Sequence, residues 1–167
     1  MRRTLLTLAL ALLCSPAVFA AGGGGGGGGG STSSTSTSSS TKANDPALVS
    51  AKAAIARNDW SAAQSQLMQA LAANPGSAEY HNLYAYSIRK GPNPDMALVF
   101  REYLEALRID ARHLGAHEYI GEAYLQVNDL PKAREHLAAL DRICFFGCEE
   151  YTDLKRAVAA YEAKNPR

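Results

Sequence analysis

The sequence predicts an all-α fold built as a stack of antiparallel helical hairpins, and three observations carry that expectation. Beyond residue 44 the apolar residues recur at intervals of three and four, and no stretch alternates with period two over the length of a strand. The breaks between these amphipathic segments are short and carry turn chemistry: Asn58-Asp59, Asn74-Pro75-Gly76, Gly91-Pro92-Asn93-Pro94, Asn128-Asp129 and Gly147. Connections this short force neighbouring helices to pack antiparallel. The pattern also repeats, with segments that begin at Asn44, Ala78 and Leu114 and a period of about 34 residues, stretched by an insertion around Gly91 in the second.

The chain has 167 residues, and its N-terminal stretch differs from the rest. Arg2 and Arg3 precede an apolar run over residues 5–13, then Ser15-Pro16 and the small-residue stretch Ala17-Val18-Phe19-Ala20-Ala21. This order predicts a secretory signal peptide over residues 1–20, cleaved after Ala20 or one residue later. The run is about half the ~20 apolar residues a membrane span needs, so an uncleaved anchor is the weaker reading. Cys14 follows Leu13 where a lipoprotein signal has Gly, Ala or Ser, which argues against lipidation. Residues 21–43 follow as a linker, glycine alone over 22–30 and only serine and threonine over 31–41. With no apolar side chain to bury and maximal backbone entropy to lose, it is expected to be disordered and to span on the order of 25 Å as a flexible tether.

Asp45-Pro46 marks the start of ordered structure, since aspartate caps a helix and proline suits its first turn. The helical domain is expected over 44–167, with helices near 46–56, 60–73, 78–90, 95–110, 113–126, 130–143 and 149–163. Paired in order, they give repeats at about 44–77, 78–113 and 114–147, followed by a capping helix at about 149–163. Small residues recur where two helices of a hairpin approach closely: Ala51, Ala85 and Gly121 on the first helices, Ala63 and Ala133 on the second.

The third segment carries Ile120, Gly121, Tyr124, Ala133 and Leu137; the second Tyr84, Ala85, Ile88, Tyr103 and Ala106; the first Ala63, Leu67, Ala70 and Pro75. In this register the chain resembles the tetratricopeptide repeat family. It departs from the family pattern at Val99, where a small residue is usual, and at Ala54, where tyrosine is usual. The resemblance covers residues 44–147 and implies a right-handed superhelical stack of three hairpins. The helix beyond them, apolar at Leu154, Val158 and Tyr161 and charged on its other side, has the character of the cap such arrays need.

The same resemblance implies that the first helix of each hairpin lines a peptide-binding groove. Carried over position by position, the lining residues are Asp45, Leu48, Lys52 and Ile55, then Glu79, Asn82, Tyr86 and Arg89, then Gly115, Glu118, Glu122 and Leu125. Among these, Lys52, Asn82, Tyr86, Arg89, Glu118 and Glu122 are the candidate contact residues. Lys52, Asn82 and Arg89 are the donors a C-terminal carboxylate would need, and Glu118 and Glu122 oppose such a clamp.

With Cys14 lost in the leader, Cys144 and Cys148 remain as an even pair in an exported chain, which predicts a disulfide. It would close a small ring and lock the cap to the third hairpin, contributing up to roughly 2–3 kcal/mol if unstrained. The alternative is a metal or thiol-redox site at the same pair, with His113, His117 and His136 as the nearest additional ligands; His113 and His117 lie four apart on one helix. No thioredoxin-like Cys-x-x-Cys context accompanies the pair. No metal, cofactor or catalytic residue is expected, because the sequence has no nucleophile elbow, phosphate-cradling loop or metalloprotease helix. Glu149-Glu150 and Glu102-Glu105 read as helix-capping or solvated acids.

Loss of the leader turns the formal net charge of +1 into about −1, a balance that favours neither nucleic acid nor an anionic membrane. The expected function is an exported protein-protein interaction scaffold, periplasmic or secreted, that docks a protein or peptide in the cell envelope without catalysis. It has no integral membrane segment after cleavage and is a monomer or dimer. A metal-binding or thiol-redox accessory protein and a self-assembling structural repeat protein remain as alternatives.

Overall fold

A computed structural model describes residues 45–166. The stretches expected as signal peptide and linker, Cys14 among them, lie outside the described residues. Each helix starts at a side chain that accepts backbone N–H groups otherwise left without partners. Asp45 caps α1 (Pro46–Ala56), Asp59 caps α2 (Trp60–Ala73) and Ser77 caps α3 (Ala78–Lys90). Asp95 caps α4 (Met96–Ile109), His113 caps α5 (Leu114–Gln126), Asp129 caps α6 (Leu130–Ile143) and Cys148 caps α7 (Glu149–Lys164). The sequence placed Asp95 and His113 inside their helices; they are the caps just outside them.

The turns inside the first and third hairpins are built alike. Asn58 and Asn128 adopt φ of 56° and 62°, the left-handed region asparagine tolerates better than most residues. In each, the following aspartate N–H returns to the carbonyl of the preceding helix, Asp59 to Ala54 and Asp129 to Tyr124. The second hairpin replaces this turn with its Gly-Pro-Asn-Pro insertion.

Helices α1–α2, α3–α4 and α5–α6 pair as hairpins that stack in chain order, and α7 packs on both helices of the third. The first helices also touch one another, α1 with α3 and α3 with α5, so α7 extends that row. Ala51, Ala63, Ala85 and Ala133 are fully buried, as close helix approach requires. Val99 is also fully buried beside Tyr103 and Ile120, so the second hairpin accommodates the bulkier residue inside its core. Gly121 serves a different contact from the one its hairpin position suggested. A Cβ there would lie 2.6 Å from Leu154 Cδ2, so the glycine makes room for α7. Leu154 and Val158 are buried in that seam, and Tyr161 donates to Asn128 Oδ1 at 3.1 Å. No helix among the described residues is long and apolar enough to cross a membrane.

Candidate functional site

The row of first helices carries a hollow of about 450 Å³ whose walls include Lys52, Glu79, Asn82, Glu118, Tyr119 and Glu150. A second hollow of about 180 Å³ adjoins it between α5 and α7, lined by Glu118, Tyr119, Glu149, Glu150 and Asp153. The two share Glu118, Tyr119 and Glu150 and form one groove with contrasting ends.

At the α1 side the charges are mutually satisfied. Glu79, in the first turn of α3, meets Lys52 Nζ at 2.7 Å through one oxygen and His113 Nε2 at 3.1 Å through the other. His113 Nδ1 accepts the Ala116 N–H, so its Nε2 carries the hydrogen and donates to Glu79. Burial would raise the Glu79 pKa, but the hydrogen bonds from His113 and Lys52 outweigh it and hold the carboxyl at about 2.

The middle of the row is a packed aromatic and ionic cluster. Tyr86 lies between Trp60 and Tyr119, with ring centroids 6.2 and 4.7 Å away. Arg89 sits against Tyr86 and Tyr119, donates to Glu122 at 2.7 Å and to the Tyr103 hydroxyl at 3.3 Å, and is only 5% exposed. Its charge is consumed inside the fold, so Arg89 and Glu122 are brought together as an ion pair instead of standing free for a ligand.

At the α7 side the acids outnumber the cations: Asp153 meets Arg156 Nη1 at 3.0 Å, and Glu118, Glu149 and Glu150 have no ion-pair partner among the described residues. Glu118 is buried, and that burial, followed by the charges of Glu122, Asp153 and Glu150, pushes its pKa up to about 8 against the opposing pull of Arg89. Burial also raises the neighbouring Tyr119 phenol, with Glu118 adding to the effect. Between the two ends stands Asn82, 2% exposed, with an Oδ1 that has no hydrogen-bond partner among the described residues. Gly115 faces it so closely that a Cβ there would come within 3.2 Å of Asn82 Nδ2.

Of the residues the resemblance implied for a groove, Lys52, Glu79, Asn82, Gly115 and Glu118 line the hollow. Leu48 is in the core, and Leu125 packs against the cluster beneath α7. Asp45 caps α1 and accepts the Tyr80 hydroxyl. The acidic wall of α7 was missed, because Glu149 and Glu150 were read as capping residues; the spacing of Glu150 and Asp153, one turn apart, was the available signal.

His113 and His117, four apart on the chain, turn to different partners. His113 points to Glu79, whereas His117 lies against His136 with Nδ1 atoms 2.9 Å apart. His117 donates its Nε2–H to the Ala111 carbonyl, so the Nδ1–H of the pair belongs to His136. Burial holds both imidazoles below their ordinary pKa, His136 down at about 4. Cys144 ends α6 and Cys148 begins α7, and the two are joined across the turn with Cα atoms 5.7 Å apart.

No protein-family model matches the sequence. The chain is 33% identical over 101 residues to the inactive TPR repeat-containing thioredoxin TTL3 of Arabidopsis thaliana, a match covering 60% of this chain. It spans 14% of that relative's length. Among solved structures, the TPR2B-domain:pHsp70-complex of yeast Sti1 superposes with a TM-score of 0.63 at 16% identity, over 71% of this chain and 95% of that one.

Proposed function

We propose that this chain, a tetratricopeptide repeat protein, is an exported docking scaffold that holds an extended segment of another protein along the α1–α3–α5 row and catalyses no reaction. The observation that carries this reading is Asn82. A buried carboxamide oxygen without a partner costs free energy unless something outside the fold satisfies it. An extended peptide backbone offers both an N–H and a carbonyl to such a group, and the missing side chain of Gly115 is what lets the Asn82 carboxamide sit in the wall of the hollow.

The fold of the yeast Sti1 domain, described in complex with pHsp70, supports a partner of this kind. Export rests on the leader at residues 1–20, and the Gly/Ser/Thr linker would act as a tether that lets the array reach a partner in the cell envelope. The Cys144–Cys148 pair fits an oxidising compartment and would act structurally, fixing the turn between the third hairpin and α7.

The docking reading is tested by selecting random dodecapeptides on the mature chain and titrating the selected sequences. Asn82→Leu, of similar volume, is expected to weaken them by about tenfold, the scale of one lost hydrogen-bonding group. Equal affinity for the variant, or no selectable peptide at all, would refute it. Export is tested separately by intact mass of the protein recovered from the exported fraction. A mass matching cleavage near Ala20 and resistance to alkylation before reduction support it, and an uncleaved chain with free thiols overturns it.

A further inference from the structure

We propose that the end of the groove between α5 and α7 selects a cationic side chain, the lysine or arginine of a docked segment. The inference rests on the docking reading above and adds the chemistry of the partner. The smaller hollow is walled by Glu118, Glu149, Glu150 and Asp153 around Tyr119, and no basic residue among the described residues lines it. The cations around it are spent or exposed: Arg89 is bound to Glu122, Lys52 to Glu79 and Arg156 to Asp153 itself, which leaves Glu118, Glu149 and Glu150 without a cation, and Arg112 stands exposed on the wall of the larger hollow.

An acid cluster alone could be a solvated helix face. Here it opens into the hollow walled by the buried Asn82, whose carboxamide oxygen has no partner among the described residues, so the acids lie beside a polar group that the fold leaves unsatisfied. A segment whose backbone pairs with Asn82 can extend a neighbouring side chain toward Glu118 and Glu150. The Tyr119 ring offers the apolar surface that the methylene stem of lysine or arginine covers while its charged head reaches acceptors. The carboxylates do not converge as ligands of a bare ion; no group of three or more His, Cys, Asp or Glu among the described residues is placed to hold a metal. Charge spread along a hollow suits a cation carried on a flexible stem with several N–H donors.

The raised pKa of Glu118 agrees with this geometry. The groups facing it are Glu122 on α5, Glu150 and Asp153 on α7, and Arg89 on α3, and the acids dominate. A cation delivered there relieves repulsion that the fold itself leaves standing.

The test uses the dodecapeptides selected on the mature chain, labelled with fluorescein and titrated by anisotropy. The selected set is expected to be rich in Lys and Arg, and replacing the basic residue by Gln to weaken binding about five- to tenfold, with a strong dependence on salt. On a Glu150→Gln, Asp153→Asn chain that replacement should cost little. A Glu150→Lys chain should instead prefer the peptide with Glu at the same position, a charge-swap rescue that loss of fold cannot mimic. Peptides that bind through Asn82 yet lose nothing when their basic residues are replaced would overturn the cation site and leave docking standing. If no peptide binds, the docking reading fails and this inference falls with it.

Discussion

Glu79 and Glu118 lie in the same groove on neighbouring first helices, are both largely removed from water, and are driven in opposite directions, one down to about 2 and the other up to about 8. Burial works the same way on both, against ionisation. The difference is what each helix faces. Across from Glu79, α1 brings Lys52 and the start of α5 brings His113. Across from Glu118, α7 brings Glu150 and Asp153. A groove of this fold is thus not one electrostatic surface: its first end is closed by internal pairing, and its last end is set by the helix that caps the stack.

The largest expected effect that can break this comparison is at Glu118. Between its ordinary value of 4.5 and about 8, the folded chain keeps the proton while the unfolded chain has lost it, so stability falls as pH rises through that window. Glu118→Gln should remove that fall. Urea unfolding should show the variant close to the native chain at pH 4 and more stable by on the order of 4 kcal/mol at pH 9. A difference independent of pH would show that Glu118 is not strained by its neighbours.

Glu79 carries the opposite sign. Its folded pKa lies below 4.5, so its contribution is present above that pH and is lost as pH falls toward 2. Glu79→Gln should cost on the order of 3 kcal/mol at pH 7 and little near pH 2, measured in the same way.

A smaller effect tests why the acids of α7 reach Glu118 at all. Gly121→Ala places a Cβ against Leu154, which is fully buried and cannot swing aside, and should cost about 1–3 kcal/mol. Pushing α7 away should also let the Glu118 carboxyl relax toward the ordinary range in an NMR titration. An unchanged Glu118 titration would detach its strain from the docking of α7. The smallest effect is Lys52→Met, about 0.5 kcal/mol, since Lys52 is mostly exposed and His113 remains on Glu79.

The helices were legible because their signals are local. Asp45, Asp59, Ser77 and Asp129 cap helices through atoms two or three residues away, and apolar spacing alone identifies the buried face. The groove was legible only in part, since repeat register places Lys52, Asn82 and Glu118 on the right helices but says nothing of what stands opposite. Arg89 is the clearest case: its position suggested a free donor for a ligand, and its neighbours Glu122 and Tyr103 consume it. His113 and His117, four apart on the chain, turn to different partners because one is the cap of α5 and the other is inside it.

By itself the sequence determined the all-helical class, the order and nearly the bounds of the helices, their pairing into hairpins, and the small residues that let them approach. Only the tertiary structure decided which charges are neutralised and which are left facing one another, that Gly121 makes room for the last helix, and that this helix forms an acidic wall. The reason is range. Capping and periodicity act within a few residues, whereas the state of a carboxylate depends on groups that the stacking of separate helices brings within a few ångströms.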